Sequence, residues 1–138
     1  MYRALVATVP SLLVLMSCAT VGGLRTEPLD RGVARRYAAP FDSVMAVVRE
    51  AVVSAGLGLK ESQCYGDSLC MVIGTEGMSV GPSGHMGSMA RVVVEASGDA
   101  TVVRVLSRRR MGNQVAAKED YSPEILSQIE ARLGLPHP

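Results

Sequence analysis

The chain has no tryptophan, one phenylalanine and four tyrosines in 138 residues. Its core must therefore be aliphatic, and stacking platforms for bases are excluded by the scarcity of aromatics. Net charge is also missing. Fourteen basic side chains stand against thirteen acidic ones, and with Arg3 set aside the balance is even, so no global field draws the chain to nucleic acid. Histidine occurs twice and cysteine three times, too few for a zinc module of repeated Cys and His ligands. No apolar run reaches the roughly 20 residues of a transmembrane helix. The longest, Ala4 to Met16, has thirteen.

That run is what is present at the start. MYRALVATVPSLLVLMSC places Arg3 before the apolar segment and the small Ser17 after it, the layout of a secretory signal peptide. Leu15-Met16-Ser17-Cys18 resembles the lipobox of bacterial prolipoproteins. The resemblance implies cleavage after residue 17 and acylation of Cys18. Two or more acyl chains give stable attachment where one gives only reversible binding. Ala19 follows where, in the sorting rule of enteric bacteria, Asp would retain a lipoprotein at the inner membrane, so alanine favours the outer membrane facing the periplasm.

The expected organisation is a signal peptide over 1–17, a lipidated N-terminus and flexible tether over 18–31, one domain over 32–134 and a tail over 135–138. The tether reading rests on Gly22-Gly23, Pro28 and mixed charges without periodicity; fully extended, it would reach about 45 Å. The 121 residues after the signal suit a single domain that buries about two-thirds of its unfolded surface.

Val33 to Tyr37 alternates as a strand. Pro40 and Asp42 open a helix to about Ala55, with Phe41, Val44, Met45, Val48, Ala51, Val52 and Ala55 on one face and Gly56 as its stop. Leu57 to Cys64 and Leu69 to Ile73 flank Tyr65-Gly66-Asp67-Ser68 and read as a hairpin. Pairing Cys64 with Cys70 puts Leu57, Leu59, Leu69, Met71 and Ile73 on one face, and an exported protein is in a compartment that permits the disulfide. Free thiols or a metal pair are the rival readings. Ala90 to Ser97 and Thr101 to Arg108 form a second hairpin over Gly98-Asp99, which suits a type II′ turn. Its register sets Val94 against Val103, Val92 against Val105 and Ala96 against Thr101, with Arg91, Glu95, Arg104 and Arg108 outside. Ser122 as N-cap and Pro123 as first residue begin a closing helix with Ile125, Leu126, Ile129 and Leu133 inward, ended by Gly134.

Together these elements predict an α+β two-layer sandwich: an antiparallel sheet of about five strands, in the order β-α-β-β-β-β-α, with two helices on one face. The Tyr-Ala-Ala-Pro-Phe-Asp-x-Val entry to the first helix, the Gly-Leu before the second strand and the helix after Thr-Val-Val-Arg-Val resemble small bacterial envelope lipoproteins of uncharacterised function. More loosely, they resemble the helix-grip-like domains of BamC-type lipoproteins in the outer-membrane assembly machine. The resemblance implies a periplasm-facing domain without catalytic residues or cofactor.

Three clusters outside the core carry chemistry. Arg108-Arg109-Arg110 could contact an envelope protein, peptidoglycan, lipopolysaccharide or anionic head groups through bidentate hydrogen bonds, or could simply be a solvated strand end. Met78, His85, Met86 and Met89, in a Gly- and Ser-rich loop over 75–89, have the thioether and imidazole chemistry that Cu(I) selects, against the plain alternative of methionines that dock a loop. Gly77-Met78-Ser79-Val80-Gly81 matches the hydrolase elbow in letters, but lacks the strand-to-helix turn and triad partners that the elbow needs. The first reading is a non-enzymatic interaction or structural lipoprotein with the arginine run and the Gly-rich loop as contact surfaces, the second a copper-handling protein, and the third a hydrolase.

Overall fold

A computed structural model describes residues 19–77, 87–110 and 120–135. In chain order the elements are α1 (Val21–Thr26), β1 (Val33–Tyr37), α2 (Phe41–Ser54), β2 (Gly58–Cys64), β3 (Leu69–Thr75), β4 (Ser88–Ser97), β5 (Ala100–Arg109) and α3 (Ser122–Leu133). The strands form one antiparallel sheet in the order β1-β5-β4-β3-β2. β2 to β5 is a meander, and α2 carries the chain from β1 at one edge to β2 at the other. The α+β architecture expected from the sequence is therefore present.

α2 starts after Pro40, with Asp42 in its first turn, and buries Val44, Met45, Val48, Ala51 and Val52. These meet Cys70, Val72, Val92, Val94, Val103 and Val105 of the sheet, together with Ile125, Leu126 and Ile129 of α3. Full burial of each such aliphatic side chain contributes about 1.5–3 kcal/mol. A carboxylate in place of the wholly buried Val48 would have no partner there and would break this layer. Both long helices thus share one sheet face, as their single apolar stripes require.

Ser122 does not cap α3. Its N-H donates to Asp120 Oδ1 at 2.8 Å and its hydroxyl to the Val105 carbonyl at 3.3 Å, because the residue is buried against β5 and its hydroxyl must be satisfied there. Left-handed Gly134 ends the helix, and Leu135, assigned to the tail by the sequence, packs on the core and donates its N-H to the Glu130 carbonyl.

The β4–β5 register is the expected one. Gly98 has φ +65° whereas no non-glycine residue described has positive φ, the type II′ pattern. The β2–β3 hairpin pairs Cys64 with Cys70 but slips one residue between Leu59 and Glu61. The bulge turns Leu59 to the helix side, where it stays exposed, while Leu57 enters the helix-side core and Leu69, Met71 and Ile73 lie on the opposite face. The single apolar face expected for this hairpin is corrected accordingly, since one extra residue inverts every side chain beyond it.

The tether reading fails for residues 19–28. Thr20 Oγ1 accepts the Gly23 N-H at 3.0 Å and caps α1, and Leu24, 3% exposed, packs against Met71, Ile73, Met89, Val93 and Leu106. β3 and β4 are apolar on both faces, so the face away from α2 and α3 also needs a cover. The segment from Ala19 to Pro28 supplies it as a strap. Arg91, expected outside, lies wholly buried beneath it.

Candidate functional site

The strap face is where the unabsorbed polar chemistry gathers. Arg91 projects from the centre of β4 and its guanidinium holds three main-chain oxygens of the strap: Nη1 donates to Leu24 at 3.1 Å and Glu27 at 2.6 Å, and Nη2 donates to Pro28 at 2.8 Å. These are carbonyls at and beyond the C-terminal end of α1, which a short helix leaves without intrahelical partners. Among the described residues, Nε has no acceptor. Burial lowers the Arg91 pKa, the Glu27 carboxylate opposes that shift and Arg108 adds to it.

Two ion pairs also pin the strap. Arg25 Nε donates to Glu61 Oε2 at 2.9 Å while Nη2 engages Oε1. The Arg25 hydrogen bond holds the Glu61 carboxyl below the usual carboxylate range, opposed by desolvation, and the Arg25 and Lys60 charges add to the lowering. Arg108 Nη2 stands 3.9 Å from Glu27 Oε1. That distance is Coulombic contact rather than a hydrogen bond.

Between the strap and the β2–β3 turn lies an apolar groove of about 320 Å³ lined by Arg25, Leu29, Tyr65, Leu69, Met71 and Val93. Leu29 and Tyr65 stand exposed at its rim. The Cys64–Cys70 disulfide closes that end of the hairpin, with Cys70 in the core and Cys64 exposed.

The arginine run occupies the opposite end of the sheet. Strand alternation sends Arg108 to the strap face and Arg109 to the helix face, and Arg110 follows past the strand end. Ala19 donates its N-H to the Arg110 carbonyl at 3.0 Å, and Arg110 donates its own to Gly87 at 3.1 Å. The start of the strap and the arginines are therefore one hydrogen-bonded unit.

Of the residues singled out from the sequence, Cys18, Met78, Ser79, His85 and Met86 lie outside the described residues. Met89 does not belong to a loop. It is wholly buried in β4, paired with Thr75 and Arg108 and packed in the strap-side core, so its thioether is committed to packing and the proposed copper ligand set loses it. Among the described residues no group of three or more His, Cys, Asp or Glu could hold a metal ion, and no helix is long and apolar enough to cross a membrane. Sequence reasoning missed Arg91, Arg25 and Glu61. The available signal was the unbroken apolar run of both parities in Leu69–Ile73 and Met89–Val94, interrupted only by Arg91: a strand buried on both faces needs a second cover, and a cation within it needs partners.

No family model matches the chain, and no curated protein matches it. The class that the geometry defines is a five-stranded antiparallel α+β domain with a strapped second face.

Proposed function

We propose that this chain is a bacterial envelope lipoprotein, acylated at Cys18 and held at the outer membrane facing the periplasm, whose domain is a non-enzymatic interaction module. One observation carries the reading: Arg3 and the thirteen-residue apolar run Ala4 to Met16 lead directly into the lipobox-like Leu15-Met16-Ser17-Cys18. Arg108, Arg109 and Arg110 supply the charged contact surface of the module, and the groove rimmed by Leu29 and Tyr65 supplies an apolar one. The disulfide suits the oxidising compartment that the signal implies.

The test is mass spectrometry of the protein recovered from bacterial envelopes. The expected N-terminus is acylated Cys18, and a Cys18→Ala chain should lose lipidation and partition with the soluble fraction. An unacylated Cys18, or a Cys18→Ala chain that still fractionates as a lipidated membrane protein, would refute the anchor. For the module, crosslinking in intact envelopes should capture a component through the arginine surface. Crosslinking that captures no envelope component counts against it.

A further inference from the structure

The arginine run and the anchor were separate features in the sequence, ninety residues apart, with a flexible tether between the anchor and the domain. In the folded chain the start of the strap meets the arginine run. Ala19, the residue that follows Cys18 in the sequence, donates its N-H to the Arg110 carbonyl. The strap that follows is fastened along its length by Arg91, by Arg25 with Glu61 and by Arg108 with Glu27.

Each described acidic group at this end is engaged, although Asp120 is exposed and Glu27 is partly so. Glu76 Oε2 accepts the Ser88 N-H at 3.2 Å, Asp120 Oδ1 accepts the Ser122 N-H, and Glu27 faces Arg108. Arg108 lies on the strap face, where it meets Glu27, Arg109 lies on the helix face, and Arg110 follows the strand end with its Nε buried. Guanidinium groups suit phosphate oxygens because their N-H groups form a planar fork, and basic residues beside a lipid anchor act together with it in membrane attachment.

We propose that the Ala19–Arg110 end of the domain docks directly on the phospholipid leaflet that holds the anchor, with Arg108, Arg109 and Arg110 contacting the phosphates of anionic phospholipids. The docking fixes one orientation: the strand ends at Gly77, Gly87 and Arg110 face the bilayer, and the disulfide hairpin with its apolar groove faces away. The proposal rests on the lipoprotein reading and names the partner of its charged surface.

The absence of tryptophan makes a clean probe available. Gly77 lies at the arginine end, where an added Cβ meets no atom of the described residues within 4 Å, and its carbonyl lies beside Gly87; Tyr65 is exposed at the opposite end. Full-length acylated Gly77→Trp and Tyr65→Trp proteins are reconstituted in phosphatidylcholine vesicles, with and without about one-third phosphatidylglycerol, using brominated acyl chains as quenchers. The indole of the Gly77→Trp protein is expected to be quenched more strongly than that of the Tyr65→Trp protein. The difference should shrink when phosphatidylglycerol is omitted, and again when all three arginines become glutamine.

Each arginine at an anionic surface changes the docked-to-undocked ratio by roughly fivefold, so three give on the order of a hundredfold. Equal quenching at the two positions, or a difference indifferent both to phosphatidylglycerol and to the arginines, overturns the docking while leaving the anchor intact. Mass spectrometry of the same samples separates the two claims, since a chain without acyl groups overturns both. Circular dichroism of each variant matched to the parent excludes unfolding as the cause of lost quenching.

Discussion

Arg91 is the residue on which the second face of the sheet depends. Its side chain is wholly buried, yet it carries a charge that, among the described residues, main-chain oxygens of the strap satisfy by hydrogen bonds. Charge-assisted hydrogen bonds contribute about 1.5–3 kcal/mol each in mutational series, but desolvation offsets much of that sum. Arg91→Ala should release the strap at a cost of about 2–4 kcal/mol and raise amide hydrogen exchange at Leu24, Glu27 and the Met71–Ile73 backbone, while α2 and α3 stay protected. Arg91→Lys should not restore protection, because a single ammonium cannot reproduce the fork that reaches Leu24, Glu27 and Pro28 together. Unchanged exchange in both variants would show that Leu24 alone holds the strap. The apolar run around Arg91 is matched by Val102-Val103 and Val105-Leu106 around Arg104, five residues beyond the next turn, which makes a surface pair with Glu95 at 2.9 Å, so the run signals a buried cation without saying which arginine is covered. The difference arises because Arg91 is roofed by α1 and Arg104 is not.

Among the elements, the β2–β3 hairpin shows most plainly how packing sets local structure. Gly74 is required by close approach rather than by a turn. A Cβ there would stand 2.6 Å from Val52 Cγ1 and 2.9 Å from Leu57 Cβ, where α2 and the chain entering β2 press on β3. Gly74→Ala must push α2 outward or distort the bulge beside Leu59, and should cost about 1–3 kcal/mol, read as a lower urea midpoint with an unchanged slope. A neutral result would mean that the helix layer yields. The disulfide closes the same hairpin at its other end, and a loop of this size contributes roughly 2 kcal/mol by restricting the unfolded chain. It also fastens the exposed edge strand β2 to β3, where the bulge and Lys60 already discourage pairing with another chain. The Cys64–Cys70 pairing was legible because turn residues and cysteine spacing agree. The bulge was not, since Leu59-Lys60-Glu61 carries no glycine and alternates no differently from its neighbours.

For the molecule as a whole, alkaline pH should be the direction of weakness. Tyr37 and Tyr121 are both 4% exposed; Tyr37 donates its hydroxyl to Glu130 at 3.2 Å and Tyr121 stands beside Glu76. Burial raises both phenols above the ordinary 10.0, reinforced by the neighbouring carboxylates, and Tyr121 is pushed up to about 12. A group whose pKa is higher in the folded state stabilises fully below its unfolded value, and that stabilisation is lost as pH rises through the folded one. Stability should therefore fall between about pH 10 and pH 12, with phenolate absorbance from these two tyrosines appearing together with loss of the folded circular dichroism signal. Tyr121→Phe should flatten that limb. Reversible ionisation of both phenols near 10.0 in the folded chain would contradict it.

Much of this architecture follows from local rules. The stripe from Val44 to Val52, the Gly98-Asp99 turn, the Ile125–Leu133 face and the pairing of the two cysteines depend on neighbours within a few residues, and periods of two and 3.6 suffice to read them. The strap, the burial of Arg91 and the inversion of Leu57 and Leu59 depend on what another element brings to a site from tens of residues away. Only tertiary structure could decide them, because a short Gly-rich helix such as Val21–Thr26 is unstable by itself and exists where an apolar sheet face and a buried guanidinium are waiting to receive it.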